Sequence, residues 1–224
     1  MKKIYFLLNS YTDFNFSEYL HKHMDQSYSI SFGESLPDDM YYYDLIVLWN
    51  YHKIVKGVGN KKNIVIFHST NLPDGKGWAP IFNSLLKGDK YFYVTGILAS
   101  DKVDAGDIIV QAKFEIKANY TAKYIRMWDI EICIILAKEI LKRSTSNKLS
   151  GVKQTGIGSY NSKRKPQDNE LNLNASLNDQ VAMLRACEDQ FPAFFIYEGV
   201  KYIVNIEPEI KPAFPVDLKI TFFT

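Results

Sequence analysis

Cysteine is scarce: the 224 residues contain two, Cys133 and Cys187. Neither belongs to a CxxC pair or has a histidine pair beside it, which argues against a cysteine-based metal site and a disulfide framework. Both fall in apolar helical patterns and read as buried thiols of a reducing compartment. An excess of charge of one sign is also lacking. A balance of 27 basic and 25 acidic side chains leaves a net charge of +2, a field too weak to predict nucleic-acid binding. The short basic runs are Lys61-Lys62, which reads as a solvated loop, and Lys163-Arg164-Lys165. No apolar run approaches the roughly 18 residues of a membrane span. The initial run Ile4 to Leu8 stops at Asn9 and Ser10, too soon for a signal peptide. A cytoplasmic protein without a membrane partner is expected. No GxGxxG follows the first apolar run, so dinucleotide binding has no support. No internal repeat is visible.

What is present suits a folded α/β chain. Apolar residues make up 46% and charged residues 23%, enough to build one sizeable core. Ile4 to Leu8 reads as a strand and Asp13 to Met24 as a helix carrying Phe16, Tyr19, Leu20 and His23 on one side. Ser27 to Phe32, Asp44 to Trp49 and Asn63 to Phe67 read as further strands, separated by loops that carry Pro and Gly. A helix opens at Trp78-Ala79-Pro80 and stops at Gly88. Tyr91 to Ala99 and Ile108 to Ile116 are strands. Tyr120 to Leu141 is the longest helix, with Tyr124, Trp128, Ile132, Ile135, Leu136 and Ile140 on its core side.

Composition shifts after Arg143. Ser144 to Asp168 is rich in Ser, Gly, Lys and Asn and reads as a linker or long functional loop. Ser176 with Asp179 caps a short helix whose stripe is Leu177, Val181, Leu184 and Cys187. A hairpin runs from Ala193 to Tyr197, turns at Glu198-Gly199 and returns through Lys201 to Ile206. The expected architecture is an α/β, Rossmann-like, mostly parallel and doubly wound sheet at residues 1–150. A small C-terminal α+β extension with a β-hairpin occupies 151–224. A ligand is expected beyond the carboxyl ends of the strands.

The candidate reaction centre is the stretch His68-Ser69-Thr70-Asn71-Leu72-Pro73-Asp74-Gly75-Lys76-Gly77-Trp78-Ala79-Pro80, with the later loop Val103-Asp104-Ala105-Gly106-Asp107. It places an imidazole at a strand end and a carboxylate in a second loop. A lone histidine there is most often structural. The two strings together, however, resemble the folate-dependent formyltransferases over residues 1–142. A further stretch, Tyr160 to Asp168, then Leu184-Arg185-Ala186-Cys187 and Phe191-Pro192-Ala193-Phe194-Phe195, is similar to the bacterial nucleotide-sugar N-formyltransferase branch. The tRNA-formylating members carry a larger C-terminal RNA-binding domain, which places a tRNA substrate below a sugar.

The resemblance implies formyl transfer from N10-formyltetrahydrofolate to the amine of a nucleotide-linked amino-dideoxy sugar used in surface glycans such as the lipopolysaccharide O-antigen, by a homodimer that uses no metal. It assigns His68 and Asp104 to catalysis. Tyr51, His52, Ile54, Ser100 and Asp104 would hold the folate, and Lys76, Trp78, Tyr160, Lys163 and Arg164 the sugar nucleotide. His52 reads equally well as an exposed loop residue. An amine attacking a formyl carbon develops a tetrahedral oxyanion. Imidazolium at His68, favoured by the Asp104 charge, would donate to that oxygen, and the carboxylate could take up the amine proton.

The larger family has an asparagine two residues before the histidine, where this chain has Ile66. Losing one oxyanion donor costs about 2.7–4 kcal/mol. Ser69, Thr70 or a loop amide near Gly75 are the candidates to replace it. Competing readings are glycinamide ribonucleotide or another small amine as acceptor, a catalytically impaired folate- or nucleotide-binding protein, and a purely structural subunit.

Overall fold

The computed structural model describes residues 1–9, 16–58, 63–143 and 149–223. The expected helix start at Asp13, the Phe16 side chain, the Lys61-Lys62 pair and residues 144–148 of the expected linker lie outside the described residues.

The first apolar run forms β1 (Lys2–Leu7). Ile4 and Phe6 face a larger core and Tyr5 and Leu7 a smaller one, because successive side chains of a strand point to opposite faces. The chain continues through α1 (Phe16–His23), β2 (Tyr28–Gly33), a 3-10 turn at Met40–Tyr42, β3 (Leu45–Trp49) and β4 (Ile64–His68). Next come β5 (Lys76–Gly77), α2 (Pro80–Lys87), β6 (Tyr91–Leu98), β7 (Ile108–Glu115) and α3 (Ala122–Arg143). They are followed by β8 (Tyr160–Asn161), a second 3-10 turn at Pro166–Asn169, α4 (Leu177–Ala186), β9 (Ala193–Tyr197), β10 (Val200–Val204) and β11 (Lys219–Phe222).

The main sheet has the order β11-β7-β6-β4-β3-β1-β2. β2, β1, β3 and β4 pair in parallel, whereas β6, β7 and β11 each run against the neighbour before them. Since β7 reverses β6, and β6 reverses β4, five of the seven strands share one direction. The fold is Rossmann-like α/β with a mostly parallel, mixed sheet. The β6–β7 reversal has a simple cause. Residues 99–107 between β6 and β7 are too few for a parallel crossover, which needs a dozen or more.

The helices do not wind both faces. Leu20 of α1, Ile81, Phe82 and Leu85 of α2, and most of α3 belong to the larger core on one face. The other face is covered by Leu36, Met40, Tyr43, Tyr51, Val55 and Val58, which lie in connections and one 3-10 turn. α3, expected to bury one side, is buried around most of its circumference. Polar groups caught in that position need partners. Buried Glu131 accepts from Lys22 Nζ at 2.6 Å and meets His23 Nε2 at 2.8 Å, tying α1 to α3.

The extension packs on the same body. Ser176 accepts from the Asp179 amide as expected, but Leu177 is 78% exposed and Val181 is exposed too. Only the C-terminal part of the α4 stripe is covered. Leu184, Ala186, Cys187 and Ala193 join the larger core, and β11 extends the main sheet alongside β7. Residue 150 therefore marks no seam in the packing. The hairpin turn is as expected, with Glu198 and Gly199 at φ +49° and +78°, the left-handed pair of a primed turn. Both cysteines are free and buried.

Candidate active site

Ile64, Ile66 and His68 alternate with Val65 and Phe67, which are buried in the larger core. That alternation puts the last side chain of β4 at the sheet end, opposite Thr95 of β6. The imidazole is 9% exposed, with Nε2 3.0 Å from the Gly75 carbonyl and Nδ1 3.7 Å from Asp104 Oδ1. The Gly77 amide donates to Asp104 Oδ2 at 2.9 Å. Both ring nitrogens thus face acceptors, and the carboxylate is held by a backbone donor from the histidine's own loop.

Asp104 does not sit beyond the carboxyl end of a parallel strand, where it was expected. It lies on the β6–β7 connection, which opens where Leu98 stands opposite Val65, near the start of β4. Residues 99–106 must run back to bring the carboxylate onto His68. Asp104 has φ +48°, a left-handed conformation that aspartate tolerates better than most residues. In the histidine loop, Gly75 and Gly77 have φ +75° and +90°. A Cβ on Gly77 would lie 2.5 Å from the Asn161 carbonyl oxygen, so glycine is required there by conformation and by space.

Beneath the pair lies a buried carboxyl that the sequence reading missed. Asp129 of α3 accepts from Ser69 Oγ at 2.7 Å and Trp49 Nε1 at 3.3 Å. Burial raises its pKa above the ordinary carboxylate value, opposed by the Ser69 hydrogen bond and the Arg126 charge. Its one sequence signal was an acid in the middle of an apolar helix. A carboxyl whose folded pKa is raised stabilises the fold below its unfolded pKa of about 3.9 and loses that contribution as pH rises through the folded value. Asp129→Asn should therefore gain thermal stability relative to the parent as pH is raised from about 4 to 8. Melting curves of both proteins across that range check the sign.

The candidate oxyanion donors separate. The Ser69 hydroxyl is directed at Asp129, and the amides of Gly75, Lys76 and Gly77 bond to Ser159 Oγ, the Ser159 carbonyl and Asp104. Thr70 Oγ1 is buried and has no partner among the described residues. Ile66 packs between the two smaller clusters, beside Leu72, Ile97 and Ile108.

The expected ligand residues fall in three places. Tyr51 packs against the smaller core, to which Ala99 also belongs, and donates its hydroxyl to the Glu34 carbonyl, which joins the β2–β3 and β3–β4 connections. Ser100 Oγ donates to the Lys102 carbonyl within its own turn, and Ile54 is 71% exposed. His52, Trp78 and Lys163 form a second group. The His52 ring lies 5.2 Å from the Trp78 ring, and Lys163 Nζ stands 5.0 Å from the Trp78 centroid. Partial burial, then the charges of Lys163 and Arg126, hold the His52 pKa below its ordinary value. The backbone segments of Lys76 and Tyr160 are paired across β5 and β8.

Arg164 is engaged by the protein itself. Its guanidinium packs 3.5 Å from the Phe82 ring centroid and donates to Asn169 Oδ1, Cys187 Sγ and the Phe191 carbonyl. A side chain carrying five donors in a fixed fork suits this joining of three segments. Arg164 secures the extension through these contacts.

A family model described as formyl transferase matches residues 36–128. The match covers about two fifths of the chain and includes β3, β4, β6, β7 and the start of α3. The chain is 29% identical over 173 residues to the methionyl-tRNA formyltransferase of Buchnera aphidicola, covering 75% of this chain and 55% of that protein. It is 28% identical over 145 residues to the bifunctional polymyxin resistance protein ArnA of Wigglesworthia glossinidia brevipalpis, covering 64% of this chain and 22% of the other. The chain thus spans about half or less of the length of these relatives. Among solved structures, methionyl-tRNA formyltransferase from Clostridium thermocellum superposes with a TM-score of 0.74 at 20% identity, covering 99% of this chain and 100% of the other. A 4-N formyltransferase from Francisella tularensis gives 0.66 at 20%, covering 94% and 99%. HypX from Aquifex aeolicus in complex with tetrahydrofolic acid gives 0.72 at 19%, covering 96% and 40%. At these identities the likeness is one of fold. The matched formyl transferase segment contains His68 and Asp104 and ends just before Asp129. Among the described residues, no group of His, Cys, Asp and Glu could hold a metal ion, and no helix is long and apolar enough to cross a membrane.

Proposed function

We propose that this chain is a cytoplasmic N-formyltransferase that moves a formyl group from N10-formyltetrahydrofolate to the amine of a nucleotide-linked amino-dideoxy sugar. The observation that carries the reading is the His68–Asp104 contact, made by two loops distant in sequence and closed by the Gly77 amide. The folate complex of HypX and the 4-N formyltransferase among the structural neighbours support the two substrates.

The residues present fit a folate. Ile54 and Val103 are apolar side chains standing in water on connections that pack together through Tyr51, Val55 and Ala99. A flat heteroaromatic ligand would cover such a surface. When bound, formyltetrahydrofolate supplies the carbon that the amine attacks. His68 would turn its Nε2–H from the Gly75 carbonyl, 3.0 Å away, to the oxygen that becomes negative, and Asp104 orients the ring through the Nδ1 side. The same carboxylate takes up the amine proton, directly or through water. Thr70, two residues after His68, has a hydroxyl without a partner among the described residues, and we assign it the second donor.

Lys163 and Trp78 would receive the sugar nucleotide. Among the described residues Lys163 has no carboxylate partner, so its charge is available to a diphosphate. Trp78 supplies an aromatic face. A homodimer would bury the β9–β10 hairpin, whose Ile196, Val200 and Ile203 are exposed.

The test is incubation with formyltetrahydrofolate and a panel of UDP-, dTDP- and GDP-linked amino sugars, with glycinamide ribonucleotide and methionyl-tRNA as comparators. The expected result is an amino sugar gaining the mass of one formyl group. Turnover confined to methionyl-tRNA or glycinamide ribonucleotide would replace the sugar reading. Binding of folate with no turnover on any acceptor would replace the catalytic one.

A further inference from the structure

We propose that Gly151–Asn161 is a clamp that sets the distance between His68 and Asp104, with Gln154 as its positioning residue. The proposal rests on the formyl-transfer reading for its kinetic consequence and on geometry for everything else. The segment follows α3 and lies outside the family match at 36–128, in what the sequence presents as a linker.

At one end, the Val152 and Ile108 backbones exchange two hydrogen bonds, of 2.8 and 2.9 Å, anchoring the clamp at the start of β7. Two residues on, Gln154 Nε2 donates to the carbonyls of Asp104 and Gly106, both at 2.9 Å. Asp104 sits at φ +48°, and a non-glycine residue keeps such a conformation only where its surroundings hold it. Those two bonds, reaching across 50 and 48 residues of sequence, do so.

The other end grips the histidine loop. Gly158 passes so close to Pro73 that a Cβ would stand 2.5 Å from the Pro73 carbonyl oxygen. Ser159 accepts the Gly75 amide on Oγ at 2.8 Å and the Lys76 amide on its carbonyl at 3.0 Å, and the Asn161 carbonyl accepts the Trp78 amide. Gly75 and Gly77, the residues whose backbone meets His68 Nε2 and Asp104 Oδ2, lie within the stretch so gripped. One short segment therefore holds both partners of the pair from outside.

Gln154 uses its donors and not its acceptor. Oε1 is buried without a partner among the described residues, so a side chain of like length without donors isolates the contribution. Gln154→Met is that variant, Gln154→Lys restores a donor, and Ser159→Ala removes the one side-chain bond of the other grip, the acceptor of the Gly75 amide. For Gln154→Met the expected result is a kcat lower by about tenfold to a hundredfold, a displaced pH-rate profile and KM values close to the parent's. His68 ring-nitrogen NMR shifts should change and the Gly77 amide should exchange faster, with Gln154→Lys recovering part of each and Ser159→Ala reproducing the exchange. Parent-like kcat, ring shifts and exchange in both Gln154→Met and Ser159→Ala would overturn the clamp. If Gln154→Met does not fold, parent-like ring shifts and exchange in Ser159→Ala alone overturn it. The NMR and exchange measurements need no turnover, so a parent protein inactive on every acceptor would refute formyl transfer while leaving the clamp decided by its own data.

Discussion

His68→Asn should lower kcat/KM by about 10³-fold or more, because one side chain carries both the oxyanion donor and the proton that must be held at the sheet end. Loss of an oxyanion donor alone costs about 10²–10³, and loss of a general acid or base costs about 10²–10⁴. Asp104→Asn should fall in the same range, since the amide keeps the Gly77 contact but not the charge that faces Nδ1 at 3.7 Å. Residues that act as a unit are not additive. The double variant should therefore be little worse than the poorer single one. Folate binding, followed by thermal shift, should survive His68→Asn, which separates lost chemistry from a lost site. Full activity in both single variants would dismiss the assignment of the pair.

A large loss of stability is expected from a single methyl group in the histidine loop. At Gly77 an added Cβ meets the Asn161 carbonyl oxygen at 2.5 Å and the Tyr160 ring at 2.7 Å, at φ +90°. The left-handed conformation costs a non-glycine residue about 1–2 kcal/mol, and overpacking adds about 1–3 kcal/mol. A fall in melting temperature of about 5–15 °C follows for a chain of this size. Gly199 is the matched control. Its φ is +78°, yet nothing lies within 4 Å of its Cβ position, so Gly199→Ala should show the conformational cost alone. Equal losses at the two positions would mean that β5 and β8 are not held together as described.

Much of the fold was legible because its signals are local. β1, β3 and β4 are apolar runs of strand length, α2 is bounded by Pro80 and Gly88, and the Glu198-Gly199 turn follows from glycine chemistry. Gly88, at φ +70°, ends α2 as a left-handed cap. The reversal of β6 and β7 was legible in principle from the length of residues 99–107. β11 was not read: Lys219–Phe222 has no strong alternation, and its pairing with β7 depends on an edge more than 100 residues earlier.

The candidate site divides in the same way. His68 and Asp104 stand out as a histidine and an acid in Pro/Gly loops, since turn chemistry marks where a sheet opens. Asp129, Gln154 and Ser159 carry no such mark. A glutamine in a Ser/Gly-rich stretch reads as linker until the chain has folded back over both loops, and an aspartate in a helix reads as solvated until the helix is enclosed. Arg164 shows the converse. A basic run suggests an anion site, but cation–aromatic packing on Phe82 and the nearby acceptors turned this guanidinium inward.

By itself, then, the sequence determined the α/β class, most element boundaries and the two loops that hold the candidate chemistry, because periodicity, turn residues and strand-end motifs act over a few neighbouring positions. The tertiary structure alone decided that the helices cover one face, that residues 151–161 lock the two loops together, and that a carboxyl lies buried beneath His68. Each of these depends on contacts between segments tens of residues apart, and no local pattern records which distant backbone amide or hydroxyl will arrive to meet them.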